Sequence, residues 1–207
     1  MAGGRASRLT PEEAFARLPE RLAEIGVQVT QHQLTQFRAH FDLLLRWSQK
    51  INLTAIREPE EIIRRHFVES AFVTQVVKFG AGTLVDVGSG AGFPGLPIKI
   101  LSPETRVVLV ESVQKKAAFL KEVGRAIQSD PALEVMACRL SDLALKADWV
   151  TARAVRQDSR LIREMRAVLV PRGTMVLVLA AGKAAALGEG WRVEGIGGGS
   201  AVATSST

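Results

Sequence analysis

Apolar residues recur at helical spacing through the first eighty positions of the chain. After Thr30 they fall three or four residues apart and line one face of a helix: Leu34, Phe37, Phe41, Leu44 and Leu45. Thr10 precedes a proline and has Glu13 three positions later, an arrangement typical of a capped helix start. A proline at position 59 favours a third start. We therefore predict helices beginning near residues 10, 30 and 59, in a helical N-terminal region over 1–80.

From residue 83 the pattern changes to short, nearly continuous apolar runs separated by helical stretches. The runs predict strands at 83–88, 106–111, 133–138, 148–153 and 174–180. The stretches between them predict helices near 95–101, 113–128 and 158–169. Strands that are apolar throughout indicate a sheet covered on both faces. We predict a doubly wound, mostly parallel, Rossmann-like α/β domain over 81–196, with its ligand at the carboxyl ends of the strands. The glycine- and serine-rich end, 197–207, is expected to be a flexible tail.

Composition narrows the class of protein. No apolar run in the 207 residues approaches the roughly 20 that cross a bilayer, and the N-terminus lacks the apolar core of a signal peptide. We therefore expect a cytoplasmic monomer without membrane contacts. A lone cysteine, Cys138, excludes an internal disulfide, and no cluster of metal ligands is visible. The net charge of +6 is compatible with a nucleic-acid partner and equally with simple solubility.

The turn after the first predicted strand reads LVDVGSGAGFPGLP, and its glycines fit two cofactor classes. Gly90 to Gly95 spell GxGxxG, the dinucleotide fingerprint, which requires its first glycine immediately after the strand. That place belongs to Gly88, so the motif in register is GxGxG over Gly88, Gly90 and Gly92. This register favours S-adenosylmethionine, because such glycines let the backbone approach the cofactor.

Two acids flank this turn. Asp86 lies within an apolar strand, where a carboxylate is costly unless donors or a ligand compensate it. Glu111 closes the second predicted strand and could accept hydrogen bonds from ribose hydroxyls in either cofactor class. The pattern therefore favours a methyltransferase and leaves a dehydrogenase open as the alternative.

Several segments, in order along residues 30–183, resemble the RsmG (GidB) family of small-subunit ribosomal RNA methyltransferases. They are NLTAIREPEEIIRRHFVES, LVDVGSGAGFPGLPIKI, ESVQKKAAFLKEV, CRLSDL and TARAV. The resemblance implies transfer of a methyl group from S-adenosylmethionine to N7 of a guanine in the decoding-region loop of 16S ribosomal RNA. The implied substrate is the free RNA, the 30S subunit or an assembly intermediate.

The resemblance also implies site residues. It assigns cofactor contacts to Gly88 and Phe93 on the turn, to Leu140 and Ser141 beside the adenine, and to Arg153 after the fourth strand. Arg139 is implied as a second arginine that positions RNA or cofactor. Three further positions match a family signature of unassigned role: Asn52, Thr54 and His66.

The sequence departs from the family in three places. Ser141 stands where the family usually has an acid, although Asp142 could substitute for it. Gly182 and Lys183 reverse the family order, and the usual closing strand hairpin is not legible beyond Val193. These departures keep two alternatives open: a small-molecule methyltransferase, and a non-catalytic RNA-binding or assembly module with a decayed cofactor site.

The implied chemistry needs no catalytic base, because guanine N7 carries a lone pair and no proton. No proline-rich loop of the kind used for amine methylation follows the fourth strand, and Cys138 is misplaced for nucleophilic attack. Four arginines recur at helical spacing and are interpreted as a solvated face: Arg156, Arg160, Arg163 and Arg166. We therefore expect alignment, rather than proton transfer, to supply the catalysis.

Overall fold

The computed structural model describes residues 9–128, 132–153, 159–184, 187, 190–197 and 199–206. Its helices are α1 Pro11–Ala16, α2 Leu18–Glu24, α3 Gln31–Ser48, α4 Pro59–Ile62, α5 Glu69–Val76, α6 Gly95–Leu101, α7 Gln114–Ala126, α8 Ser159–Val168 and α9 Ala181–Ala184. Its strands are β1 Thr83–Val87, β2 Arg106–Val110, β3 Leu133–Met136, β4 Ala147–Arg153, β5 Leu169–Ala180, β6 Arg192–Gly197 and β7 Ser200–Ser206. A π-helical segment, Ile63–Val68, joins α4 to α5, and a 3₁₀ turn, Leu140–Asp142, precedes β4.

Three of the N-terminal helices, α1, α3 and α4, begin where the sequence predicts, whereas the starts of α2 and α5 are not predicted. Thr10 and Thr30 each accept a hydrogen bond from the backbone amide of the third helical residue, whose side-chain oxygen accepts one from the backbone amide of the cap. Pro59 opens α4 at its first position. Along α3 the apolar spacing is realised as one buried face that includes Phe37, Phe41 and Leu44. Among the described residues, no helix is both long and apolar enough to cross a membrane.

The strands form one seven-stranded sheet in the order β3-β2-β1-β4-β5-β7-β6. The first five are parallel to one another, and β7 runs antiparallel to both of its neighbours, β5 and β6, so that β6 has the same direction as the first five. The prediction of a mostly parallel, doubly wound sheet is confirmed. The order reverses between β1 and β4, so the carboxyl ends of these two strands form the crevice in which such folds bind ligands.

Successive residues of each central strand point to opposite faces of the sheet. Leu84 belongs to the apolar core shared with the N-terminal helices, α6 and α7, whereas Val85 belongs to the core under α8. The N-terminal helices therefore pack on the same face as the helix that follows the glycine turn. One continuous core joins them to the sheet, and a domain boundary near residue 80 stays a prediction.

The expectation of a flexible tail over 197–207 is wrong for Ser200–Ser206. These residues form β7, which is inserted between β5 and β6 and pairs with both. Ala201, Val202 and Ala203 are buried in consequence. A strand enclosed in this way can be made of small residues, because neighbouring strands cover its backbone and little side-chain volume is needed. Alanine, serine and threonine give a weak hydrophobic pattern, and so the closing hairpin is not legible in the sequence.

Candidate functional site

The turn between β1 and α6 crosses the carboxyl edge of the sheet at the β1–β4 crevice. The amides of Gly88 and Ser89 both donate to the Val110 carbonyl at the end of β2, at 2.9 and 3.2 Å. Gly88, Gly90 and Gly92 all have positive φ angles, of 66°, 54° and 90°. Side chains are strained in this region of backbone conformation. The turn therefore depends on the glycine register that the sequence predicts.

The glycines of the turn differ in what they face. A Cβ atom at Gly90 would meet only the Gly88 carbonyl, 3.7 Å away, so the space beside Gly90 is open. A Cβ atom at Gly92 would collide with Leu96 and lie 3.3 Å from His40 Nε2. Gly90 therefore leaves room for a ligand, whereas Gly92 leaves room for the protein itself.

Gly95 lies outside the ligand-facing part of the turn. It is the first residue of α6, and a Cβ atom there would lie 2.8 Å from Asp86 Oδ2. The prediction that a helix begins near residue 95 is confirmed. The apparent GxGxxG pattern therefore combines glycines of the turn with a glycine that belongs to the start of α6.

Asp86 supports the turn from below. Its carboxylate is fully buried, accepts a hydrogen bond from the Thr151 hydroxyl at 2.8 Å and accepts a second from the Gly95 amide at 3.3 Å. Burial raises the pKa of Asp86 to about 6, against the lowering effect of these donors. The expected contact of Asp86 with the cofactor stays a prediction, and the structure shows the carboxylate bound by donors of the protein. Its donors come from β4 and α6, and it ties the two to β1.

Glu111 holds the open side of the turn. Its Oε2 accepts the amide of Gly90 at 3.0 Å, and its Oε1 accepts the amide of Val113 at 2.8 Å. The residue is 5% exposed, at the rim of the crevice. Each carboxylate oxygen has two lone pairs and so retains one for a further donor. Glu111 thus fixes the backbone of Gly90 while its oxygens can still accept from a ligand.

A cavity of about 380 Å³ lies beside Gly88 at the carboxyl ends of the first three strands. It brings together four of the residues that the sequence singles out: Gly88, Arg139, Leu140 and Ser141. Its opposite wall is formed by Arg160, Leu161 and Glu164 of α8, which the sequence does not predict to line a cavity. A cavity of about 760 Å³ adjoins it and shares Leu140, Ser141 and Glu164, and another of about 570 Å³ lies elsewhere; neither is lined by the glycine turn.

The polar residues of this cavity are exposed. Arg139 is open to solvent, and the hydroxyl of Ser141 donates to Asp142 Oδ1 at 3.1 Å. Asp142 is therefore next to Ser141, where it could stand in for the family acid. Arg160 pairs with Glu164 at 2.8 Å, in agreement with a solvated face on α8, while Arg156 lies outside the described residues. Burial raises the pKa of the Cys138 thiol, which disfavours the thiolate that a nucleophile requires.

Phe93 packs in the core, and its expected contact with the cofactor stays a prediction. It is 5% exposed, and its ring stacks with those of His40 and His66 at centroid distances of 4.8 and 4.9 Å. Phe67 meets it edge-on at 5.0 Å. Burial lowers the pKa of His40 to about 4 and that of His66 to about 3, so both imidazoles are neutral at pH 7.

Two of the family-signature residues, Thr54 and His66, are connected to this aromatic cluster. His66 Nε2 is hydrogen-bonded to the Thr54 hydroxyl at 2.7 Å. This bond connects the π-helical segment, which contains His66, to the loop before α4, which contains Thr54. Asn52 lies in the same loop. Their arrangement fixes the N-terminal helices against Phe93. Across the described residues, no three candidate ligands converge on a metal site.

Arg153 joins three parts of the fold instead of facing the cavity. Its guanidinium donates to Glu69 Oε2 at 2.8 Å, to the Ser70 hydroxyl at 3.4 Å and to the Arg65 carbonyl. Glu69 Oε1 in turn accepts from the hydroxyl of Ser200 at 2.9 Å. The Arg153 and Glu69 side chains are only 12% and 5% exposed. This cluster links the end of β4 to α5 and β7, and it is where the N-terminal region meets the closing hairpin.

Comparison with known proteins gives a consistent result. Residues 33–191 match the family model described as rRNA small subunit methyltransferase G. The chain is 38% identical to the ribosomal RNA small subunit methyltransferase G of Bacillus subtilis, over 79% of this chain and 70% of that one. It is also 38% identical to the protein of the same name from Geobacter sp. strain M21, over 80% of this chain and 77% of that one.

A solved structure shares the fold at low identity. The ribosomal protein L11 methylase of Lactobacillus delbrueckii superposes with a TM-score of 0.57 at 14% identity, over 70% of this chain and 80% of that chain. At this identity the likeness establishes the architecture of the sheet and its helices.

We predict that Arg153→Met lowers the free energy of unfolding by about 3 kcal/mol, because it leaves the buried Glu69 carboxylate without its cation. The double variant Glu69→Gln/Arg153→Met should lose less than the single one, since no charge is then left unpaired. Urea denaturation of the three proteins at pH 7 measures both effects. A single variant as stable as the unmodified chain would show that the ion pair does not support the fold.

Proposed function

The chain belongs to the rRNA small subunit methyltransferase G family, and from that premise we propose that it methylates N7 of a guanine in the decoding-region loop of 16S ribosomal RNA with S-adenosylmethionine. The observation that carries the proposal is the open backbone at Gly90, held by Glu111 beside the cavity at the sheet switch point. The cytoplasmic location and monomeric state expected from the sequence stay predictions.

The residues present fit S-adenosylmethionine. The open space at Gly90 admits a ligand against the backbone, as the methionine part of the cofactor requires. Glu111 offers two oxygens that can accept from ribose hydroxyls. Val110 and Leu140 give the adjoining cavity apolar walls for a flat base, with Ser141 at its edge. A pyrophosphate fits less well, because the amide of Gly90 already donates to the Glu111 carboxylate, which would repel an anion.

When bound, S-adenosylmethionine supplies a methyl group on a positively charged sulfur, which the lone pair of guanine N7 can accept without the loss of a proton. The chain's own residues agree with a reaction that needs no base. The buried carboxylate of Asp86 accepts hydrogen bonds from Thr151 and Gly95. The neutral imidazole of His66 stacks on Phe93 in the aromatic cluster. The remaining task of the protein is to align the two reactants, which can contribute several orders of magnitude in rate.

Exposed arginines lie where an RNA strand would approach the crevice. Arg139 borders the cavity. Arg65 is exposed on the π-helical segment, and its backbone carbonyl accepts a hydrogen bond from Arg153 at the end of β4. Arginine at such positions binds phosphates and stacks on unpaired bases. These two residues are therefore the proposed contacts that position the RNA.

The alternative of a non-catalytic RNA-binding module loses one of its supports. It rested partly on an unstructured C-terminal end, and residues 200–206 instead complete the sheet. The serine at position 141 still favours it weakly. A small-molecule methyltransferase is the remaining enzymatic alternative.

We predict that the protein methylates 30S subunits that lack this modification. Incubation with S-adenosylmethionine labelled in the methyl group should place one label on the loop guanine, and borohydride and aniline cleavage should locate it at N7. Free 16S RNA and intact subunits tested in parallel would distinguish the two substrates. Label on another base, with the loop guanine unlabelled, would contradict the proposed target.

The same assay separates the alternatives. Activity on RNA should fall steeply between about 50 and 200 mM salt, because phosphate contacts release counterions. Methyl transfer to a small molecule in the absence of RNA, with little salt dependence, would favour the small-molecule enzyme.

Gly90→Val is expected to abolish measurable binding of S-adenosylmethionine in calorimetry. Its side chain would fill the open space of the turn, and the positive φ should cost stability of about 2 kcal/mol without loss of the fold. Gly80→Val is the matched control, since nothing lies within 4 Å of a Cβ there and its φ is not positive. If Gly90→Val binds as well as the control, the turn is not the cofactor site.

A further inference from the structure

We propose that His40 is a positioning residue for the cofactor turn: from α3, its imidazole donates a hydrogen bond to the Ala91 carbonyl and holds the turn in its binding shape. The expected effect on cofactor affinity rests on the proposed function, whereas the hydrogen bond that holds the turn rests on the structure alone. It assigns a role in the site to the helical N-terminal region.

The geometry defines which atom donates. His40 is fully buried, and its Nε2 lies 2.8 Å from the carbonyl oxygen of Ala91. A carbonyl oxygen can only accept, so Nε2 carries the hydrogen. The other ring nitrogen, Nδ1, is buried and has no hydrogen-bond partner in the described part of the chain. The ring is therefore the neutral tautomer with a single directed donor, aimed at the middle of the glycine turn.

The ring is held rigidly in that direction. It stacks on Phe93 at 4.8 Å and also contacts Phe67 at 5.1 Å and Phe119 at 6.3 Å, measured between ring centroids. All three phenylalanines are buried, so the imidazole is packed within the aromatic core. If the donor were lost, the Ala91 carbonyl would lose this partner in a buried place, which is costly.

Gly92 makes room for His40 as well as for Leu96, with which a Cβ atom at this position would collide. A Cβ atom at Gly92 would lie 3.3 Å from His40 Nε2, closer than side-chain atoms normally approach. The third glycine of the motif thus admits His40 to the back of the turn, while Gly90 keeps the front open. A glycine is therefore required at position 92 by the packing of α3 against the turn, whether or not the cofactor also requires one there.

Three buried groups hold the turn at different points. Asp86 binds the amide of Gly95 after it, and Glu111 binds the amide of Gly90 at its front. His40 binds the carbonyl between them, and it alone of the three comes from the N-terminal helices. A change in how α3 packs would therefore alter the site that binds the cofactor.

The test compares two variants of equal length, His40→Gln and His40→Met. The glutamine amide can place an N–H near the former Nε2, whereas methionine has no donor. Calorimetric titration with S-adenosylmethionine should show His40→Met binding about tenfold more weakly than His40→Gln, with His40→Gln within about threefold of the unmodified chain. Equal affinities of the two variants would overturn the proposal. His32→Met, at an exposed position on the same helix, is the control and should bind normally.

A second measurement does not depend on the cofactor. Amide hydrogen exchange over residues 88–93 of the ligand-free protein should be at least fivefold faster in His40→Met than in His40→Gln. Equal exchange would contradict the positioning role even if affinities differed. Failure of the unmodified chain to bind S-adenosylmethionine would instead contradict the proposed function, and the exchange comparison would still decide the role of His40.

Discussion

The turn between β1 and α6 depends on two buried carboxylates that accept backbone amides. Asp86 and Glu111 bind the amides of Gly95 and Gly90, so each end of the glycine-rich segment is fixed to the sheet by an acid. Burying a carboxylate is unfavourable unless donors compensate it, and here each acid has one of its donors in the segment from Gly90 to Gly95. The hydrogen bonds that fix the shape of the turn therefore also offset the free energy of burying the two carboxylates. With both acids in place the open side of Gly90 faces the crevice, and the other residues of the site are arranged around that opening.

The N-terminal helices are integrated into the site instead of lying beside it. His40 and His66 stack with Phe93 directly behind the turn, and the Arg153–Glu69 pair connects β4 to α5. Ser200 extends that pair to the closing hairpin. Residues matched to cofactor contacts by family resemblance therefore divide into two groups. Gly88, Leu140 and Ser141 line the cavity, whereas Phe93 and Arg153 support it from within the protein.

The sequence is sufficient to predict the first five strands, the starts of α1, α3, α4, α6, α7 and α8, and the register of the turn. Apolar runs, capping residues and the place of Asp86 in its strand are local signals, and local signals determine these elements. The rest depends on contacts that are distant along the chain. His40 lies 51 residues from Ala91, and Arg153 lies 84 from Glu69, so neither partner can be read from the spacing of residues. β7 is not predicted for a different reason: a strand of small residues has almost no hydrophobic periodicity.

We propose that Glu111, by holding the amide of Gly90, makes the turn a site for S-adenosylmethionine. Calorimetric titration of the unmodified chain and of Glu111→Gln with this cofactor tests the proposal. We expect a single site in the unmodified chain and at least tenfold weaker binding in Glu111→Gln, because an amide oxygen cannot replace two carboxylate acceptors. Unchanged affinity in Glu111→Gln, or binding of NADH in place of S-adenosylmethionine, would contradict it.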